Sequence, residues 1–177
     1  MGRIVIQGDV VTVCRLLRLC SLLMLGVLTA CASTSSRMAV PYEIVLTADD
    51  QLNPDTTGRP SPVQVLVFEL RSGSAFESRD FFALQSDPQQ ALQADLLNVA
   101  QIVLRPGQTH TFKRPGDLQA TAVGVVVGYR ELDASVWRVL LPLPESRTTN
   151  IYKFWQSALD AVQVSLQLRK NAIQVLD

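Results

Sequence analysis

The chain has 177 residues, with sixteen Lys and Arg against sixteen Asp and Glu, one His, three Cys and 47% hydrophobic residues. That length suits one domain with an ample core, and a formal charge of zero excludes a bulk polyanion binder, because nucleic-acid affinity rests on an excess of Lys and Arg. Low aromatic and charged content argue against a long disordered tail or a coiled coil, and one His with scattered cysteines leaves little catalytic or metal-binding equipment.

The first element is an address. Arg15 and Arg18 supply a positive segment, and Leu19–Leu28 is an apolar run of ten residues. A helix needs about 20 apolar residues to cross a hydrocarbon core, so this run has the length of a signal-peptide core instead. Leu28-Thr29-Ala30-Cys31 follows and resembles the bacterial lipobox, where signal peptidase II cuts before a cysteine whose thiol takes diacylglycerol and whose amine later takes a third acyl chain. Ala32 stands where an inner-membrane retention signal would carry Asp, so the resemblance implies sorting to the outer membrane. Met1–Thr12 does not read as an n-region, which places the expected translation start nearer Val11 or Val13.

Residues 1–30 are therefore expected to be removed, 31–40 to form a lipidated tether, and 41–177 to form the folded domain. Cleavage would leave thirteen basic against fifteen acidic residues, with Cys31 as the only mature cysteine and no intrachain disulfide. Acyl chains on Cys31 contribute about 0.8 kcal/mol per buried CH₂, and two or more anchor stably. The nine residues Ala32–Val40 reach roughly 30 Å when extended.

The remainder reads as β-structure with one helical insertion. Glu43–Thr47 is a short strand, followed by the loop Asp49–Pro62, dense in Asp, Asn, Pro and Gly. Val63–Leu70 is strongly apolar and central in its sheet. Ser74 and Glu77 have capping-box spacing, which predicts one helix from Ser74 carrying Ala75, Phe76, Phe81 and Phe82. Asp87-Pro88 opens a second, with Ala91, Leu92, Leu96 and Asp95 within i, i+4 reach. Strands are predicted at Gln101–Leu104, Thr109–Lys113, Thr121–Arg130, Trp137–Leu141, Asn150–Trp155 and Val162–Leu168, with Ile173–Leu176 as a hairpin partner of the last. In Thr121–Arg130 the Ala122, Gly124 and Gly128 side predicts a close-packed neighbour. About eight short strands with turn signals predict a two-sheet sandwich.

No catalytic constellation emerges. His110 lies between threonines, and no G-x-S-x-G elbow is present. Asp49, Asp50, Asn53 and Asp55 lack the glycine and distal glutamate of an EF-hand and read as turn formers. Phe81-Phe82 and Trp155 read as core, and Glu131 and Asp133 as a solvated turn.

Four stretches together resemble the TssJ family, the outer-membrane lipoproteins of the bacterial type VI secretion system. They are Leu52–Val63 (LNPDTTGRPSPV), Ser74–Leu84, Val103–Gly107 (VLRPG), and Val123–Trp137 with its Tyr129-Arg130-Glu131-Leu132-Asp133 turn. The resemblance implies a transthyretin-like β-sandwich with a small helical insertion after the second strand. It also implies acylation into the outer membrane, no enzymatic activity and no cofactor beyond the lipid on Cys31. The implied partner is the periplasmic C-terminal domain of TssM, itself attached to TssL. The implied contact is the loop between the first two strands, carried here by Asn53, Pro54, Asp55, Thr56, Thr57, Gly58, Arg59 and Pro60. A lipoprotein binding a small ligand or cell-wall fragment, which would need a deep aromatic-lined pocket, and a lipid-anchored hydrolase dependent on His110 are the alternatives.

Overall fold

The structure is a computed structural model that describes Arg15, residues 35–150 and residues 161–176. The lipobox residues Leu28, Thr29, Ala30 and Cys31, the expected start near Val11, and Trp155 lie outside the described residues. The chain divides into Met1–Ser35 and a compact unit, Ser36–Asp177.

The strands are β1 (Ser35–Met38), β2 (Tyr42–Ala48), β3 (Val63–Leu70), β4 (Leu96–Leu104), β5 (Thr109–Arg114), β6 (Ala122–Val127), β7 (Arg138–Pro142), β8 (Arg147–Asn150), β9 (Val162–Leu168) and β10 (Ile173–Leu176). They form two four-stranded sheets, ordered β10-β9-β2-β5 and β4-β3-β6-β7, plus the pair β1-β8. All pairings in the two larger sheets are antiparallel except β2 with β9, where Ile44 faces Val164 and Leu46 faces Leu166. Residues 35–38, within the expected tether, form the strand β1.

The sandwich core follows from alternation. Tyr42, Ile44, Leu46 and Ala48 turn inward from β2 and meet Val63, Val65 and Val67 of β3 and Val123, Val125 and Val127 of β6. β3 is central, as its strongly apolar sequence predicts, and its other face is buried too. Leu66, Phe68 and Leu70 pack under three short helices, α1 (Ser74–Ser78), α2 (Phe81–Ser86) and α3 (Pro88–Leu92), through Phe76, Phe81, Leu84 and Leu92. The insertion after the second expected strand is therefore a third layer. Gly124 makes room for it, since a Cβ there would sit 2.6 Å from the Phe76 ring. Asp87 caps α3 as expected, accepting from the Gln90 N–H at 2.9 Å.

Several expectations shift. The capping box does not form: α1 starts after Gly73 with no side-chain cap, and the Ser74 hydroxyl pairs with Ser72. The expected single helix breaks at Arg79-Asp80, because Asp80 is extended and caps α2 by accepting from the Ala83 N–H. Phe81 is buried but Phe82 is 67% exposed, since consecutive helical positions cannot face one sheet. β4 begins at Leu96, earlier than predicted, because pairing with β3 carries it beyond what its own pattern shows. β1 and β8 have no signal of alternation, and the rest of the expected Asn150–Trp155 strand lies outside the described residues.

Candidate functional site

The loop between β2 and β3, Asp49–Pro62, starts from a fixed floor. The Asp49 N–H donates to the Leu168 carbonyl at 2.8 Å, and the Gly107 N–H reaches the Asp49 carbonyl. Leu52 is fully buried in the inter-sheet core. Its carbonyl accepts from the Ser61 N–H at 3.0 Å, so both limbs of the loop close over it.

Asn53 ties this floor to two other segments. Its N–H donates to the Lys170 carbonyl, its Nδ2 to the Pro62 carbonyl at 3.0 Å, and its Oδ1 accepts from the Arg130 N–H at 2.8 Å. Its φ of 46° is left-handed, a conformation that asparagine tolerates better than most residues. It is 6% exposed, so it positions the loop instead of meeting solvent. Asn53 is among the contacts that the family resemblance implies; in the structure it lies buried, while Thr56, Thr57, Gly58 and Arg59 are exposed.

The tip is a closed turn. The Asp55 N–H donates to the Arg59 carbonyl and the Gly58 N–H to the Asp55 carbonyl, both at 2.9 Å. Gly58 has φ 83° with open space around it, so glycine serves the backbone there and not the packing. Asp55 Oδ1 accepts from the Thr57 hydroxyl at 2.6 Å, the Thr57 N–H at 2.9 Å and the Arg59 N–H at 3.0 Å. These bonds, the Thr57 hydroxyl first, hold the Asp55 carboxyl below the usual carboxylate range. The Arg59 Nε lies 3.5 Å from Asp55 Oδ2 with its side chain 81% exposed, an ion pair too solvated to add much stability. Thr56, Thr57, Gly58 and Arg59 are exposed, while Pro54, Asp55 and Pro60 are half-buried.

Beside the loop lies a cavity of about 120 Å³, lined by Asn53, Pro54, Tyr129, Glu131, Lys170 and Asn171 among others. Tyr129 is buried, its hydroxyl has no hydrogen-bond partner among the described residues, and burial pushes its phenol well above the ordinary value. Arg130, Glu131, Asp133 and Lys170 are exposed around it. The Tyr129–Asp133 turn and the Lys170-Asn171 turn thus join the loop in one face, with Asn171 Nδ2 donating to the Ala134 carbonyl at 2.9 Å. Sequence reasoning did not bring Lys170 and Asn171 to this face. Their only local signal is a polar turn between two strands.

The acidic residues serve turns individually. Asp49 Oδ1 accepts from the Gln51 N–H at 2.8 Å, and Asp50 lies against Gly107. No group of three or more His, Cys, Asp or Glu side chains among the described residues is placed to hold a metal. His110 is half-buried on β5 and meets Phe112 edge-on at 4.8 Å. Among the described residues, no helix is long and apolar enough to cross a membrane.

Residues 41–171 match the family model T6SS-SciN, described as type VI secretion lipoprotein, VasD, EvfM, TssJ. The chain is 30% identical to the T6SS lipoprotein TssJ1 from Pseudomonas aeruginosa, covering 78% of this chain and 95% of that one with a TM-score of 0.68. It is 32% identical to Serratia marcescens Lip, a membrane-bound component of the type VI secretion system, over 78% of this chain and 97% of that one, with a TM-score of 0.67. A chain from a structure of the T6SS protein TssM C-terminal domain from EAEC shares the fold at 21% identity and a TM-score of 0.61, over 77% of this chain and 98% of that one. No curated protein matches the sequence.

Proposed function

Because the chain belongs to the type VI secretion lipoprotein family, we propose that it tethers the secretion machinery to the outer membrane, gripping the periplasmic C-terminal domain of TssM through the Asp49–Pro62 loop. TssL would be reached indirectly, through TssM. In this reading residues 1–30 are removed, Cys31 carries the diacylglycerol and N-acyl chains, and residues 41–177 are the binding domain. The Leu28-Thr29-Ala30-Cys31 pattern and Ala32 support the lipid and its outer-membrane destination.

The observation that carries the proposal is the loop's construction. Fourteen residues without regular secondary structure are unusual in a compact domain and are often functional. Here they are held from below by Leu52 and Asn53 and closed at the tip by Asp55, so the backbone of residues 56–59 is presented in a hydrogen-bonded turn. A pre-ordered loop loses little entropy when it binds. Arg59 extends a guanidinium fork suited to a partner carboxylate. The protein would act as an anchor with two ends, acyl chains at one and the loop face at the other.

The test is calorimetric binding of residues 32–177 to the TssM C-terminal periplasmic domain of the same organism. The control replaces Thr56–Arg59 with Gly and Ser and keeps Asn53. Micromolar or tighter binding that the folded control loses is the expected result. Equal binding by the control would move the contact off the loop, and no binding by folded wild type would remove the TssM reading.

A further inference from the structure

The sheet β4-β3-β6-β7 ends at β4, and among the described residues no strand lies beyond it. Exposed edges invite pairing with other chains, and proteins usually blunt them with charge, proline or shortness. Three edges here are blunted. β5 carries His110, Lys113 and Arg114; β7 runs from Arg138 to Pro142; β10 has four residues. β4, LLNVAQIVL, is nine residues long with neither charge nor proline. Val99 is 38% and Val103 61% exposed, with Gln101 exposed between them.

The outward-facing backbone groups can be assigned. The Gly128 N–H donates to the Gln64 carbonyl at 2.8 Å, so Gln64 directs its peptide groups towards β6. Backbone groups alternate along a strand, so Val63, Val65 and Val67 point to β4, where they face Leu104, Ile102 and Ala100. Val99, Gln101 and Val103 therefore turn their N–H and C=O groups away from β3. The same three residues, and Asn98 before them, carry the exposed side chains.

We propose that β4 pairs antiparallel with β4 of a second copy about a two-fold axis at Gln101. An isologous interface must be self-complementary, and Val99-Ala100-Gln101-Ile102-Val103 is. Val99 would face Val103 of the second copy, Gln101 would face Gln101, and Ala100 would face Ile102. No like charges meet, and the three outward residues of each strand find partners for their backbone groups. The contact is small. Five residues at about 3.4 Å each span about 17 Å, and such a strip falls well short of the roughly 1,000 Å² that a stable interface buries. The pairing is therefore weak in dilute solution and forms where copies are concentrated, as on a membrane surface. That setting, but not the geometry, rests on the lipid anchor proposed above.

The full acylated chain is reconstituted in phosphatidylethanolamine–phosphatidylglycerol vesicles and treated with a short thiol crosslinker. Flotation reports the anchor separately; for a chain that does not float, the same pattern is read at millimolar concentration in solution. Gln101→Cys is expected to crosslink to itself. Val99→Cys and Val103→Cys alone should do so about tenfold less, and mixed together as well as Gln101→Cys. No crosslinking above the parent chain, or equal self-crosslinking at all three positions, overturns the pairing. As a second check, Gln101→Lys should lower the dimer fraction about fivefold, and an equal mixture of Gln101→Lys and Gln101→Glu copies should restore it. Failure of the mixture to restore the dimer also overturns it.

Discussion

Two buried polar residues, Asn53 and Glu69, sit at opposite ends of the sandwich and are handled in opposite ways. Asn53 is neutral, and its side chain spends both a donor and an acceptor on backbone groups of separate segments. Glu69 projects into the core beside Tyr42, and its Oε1 has no hydrogen-bond partner among the described residues. Burial raises its pKa first and the nearby Asp117 charge adds to this, against Arg114, the Tyr42 hydroxyl and the Asp117 backbone, which lower it. Burial, with Glu69 beside it, pushes the Tyr42 phenol upward as well. A satisfied amide stiffens the end that carries the loop, whereas a half-satisfied carboxylate weakens the other end.

The largest expected break in this contrast is Asn53→Ala. It leaves the Arg130 N–H and the Pro62 carbonyl without their partner and puts alanine at a left-handed φ. Unfolding stability should fall by about 2–4 kcal/mol, read as a lower urea midpoint at unchanged m-value, and TssM-domain binding should fall with it. Gly124→Ala is the control from the helix-facing core. It drives a methyl into the Phe76 ring and should cost about 1–3 kcal/mol, while calorimetric affinity for the TssM domain stays at the wild-type value.

Glu69→Gln should move stability the other way. A carboxyl whose folded pKa is raised binds more protons folded than unfolded. Its contribution is full below the ordinary value of 4.5 and is lost as pH rises through the raised folded value. Glu69→Gln should therefore stabilise the protein by about 1 kcal/mol at pH 7.5. It should also remove the fall in stability expected of the wild type as pH rises above 4.5; chemical denaturation at several pH values checks both. An unchanged slope would mean that Glu69 is solvated in the folded protein.

Asp55→Ala is the smallest for stability and the sharpest for function. It deletes the three bonds that shape the tip but leaves Leu52 and Asn53 in place. The thermal midpoint should stay unchanged while affinity for the TssM domain drops severalfold. Loss of both together would show that the tip supports the domain, which would erase the distinction between floor and tip.

The loop's extent was legible in its own residues, because Asp, Asn, Pro and Gly crowd into Asp49–Pro62 between two apolar runs. Its internal division was not. Nothing in the sequence separates Asn53 from Asp55, since both are turn formers; a bond to Arg130, 77 residues away, makes one a strut. Trp137 shows the same limit, as its edge-on contact with Phe81 at 5.6 Å joins segments that share no local pattern.

By itself the sequence determined what depends on neighbouring residues. Alternation in Glu43–Thr47 and Val162–Leu168 makes half-buried strands, Asp87-Pro88 starts a helix, and Gly124 announces a close neighbour. Only the tertiary structure decided that the neighbour is Phe76, that β2 and β9 lie side by side in parallel, that β4 extends to Leu96, and that Phe82 faces water. Each of these depends on which distant segment supplies a hydrogen bond or an apolar surface. Local propensity is too small to choose among such partners, and the choice falls to the long-range pairing that buries the core.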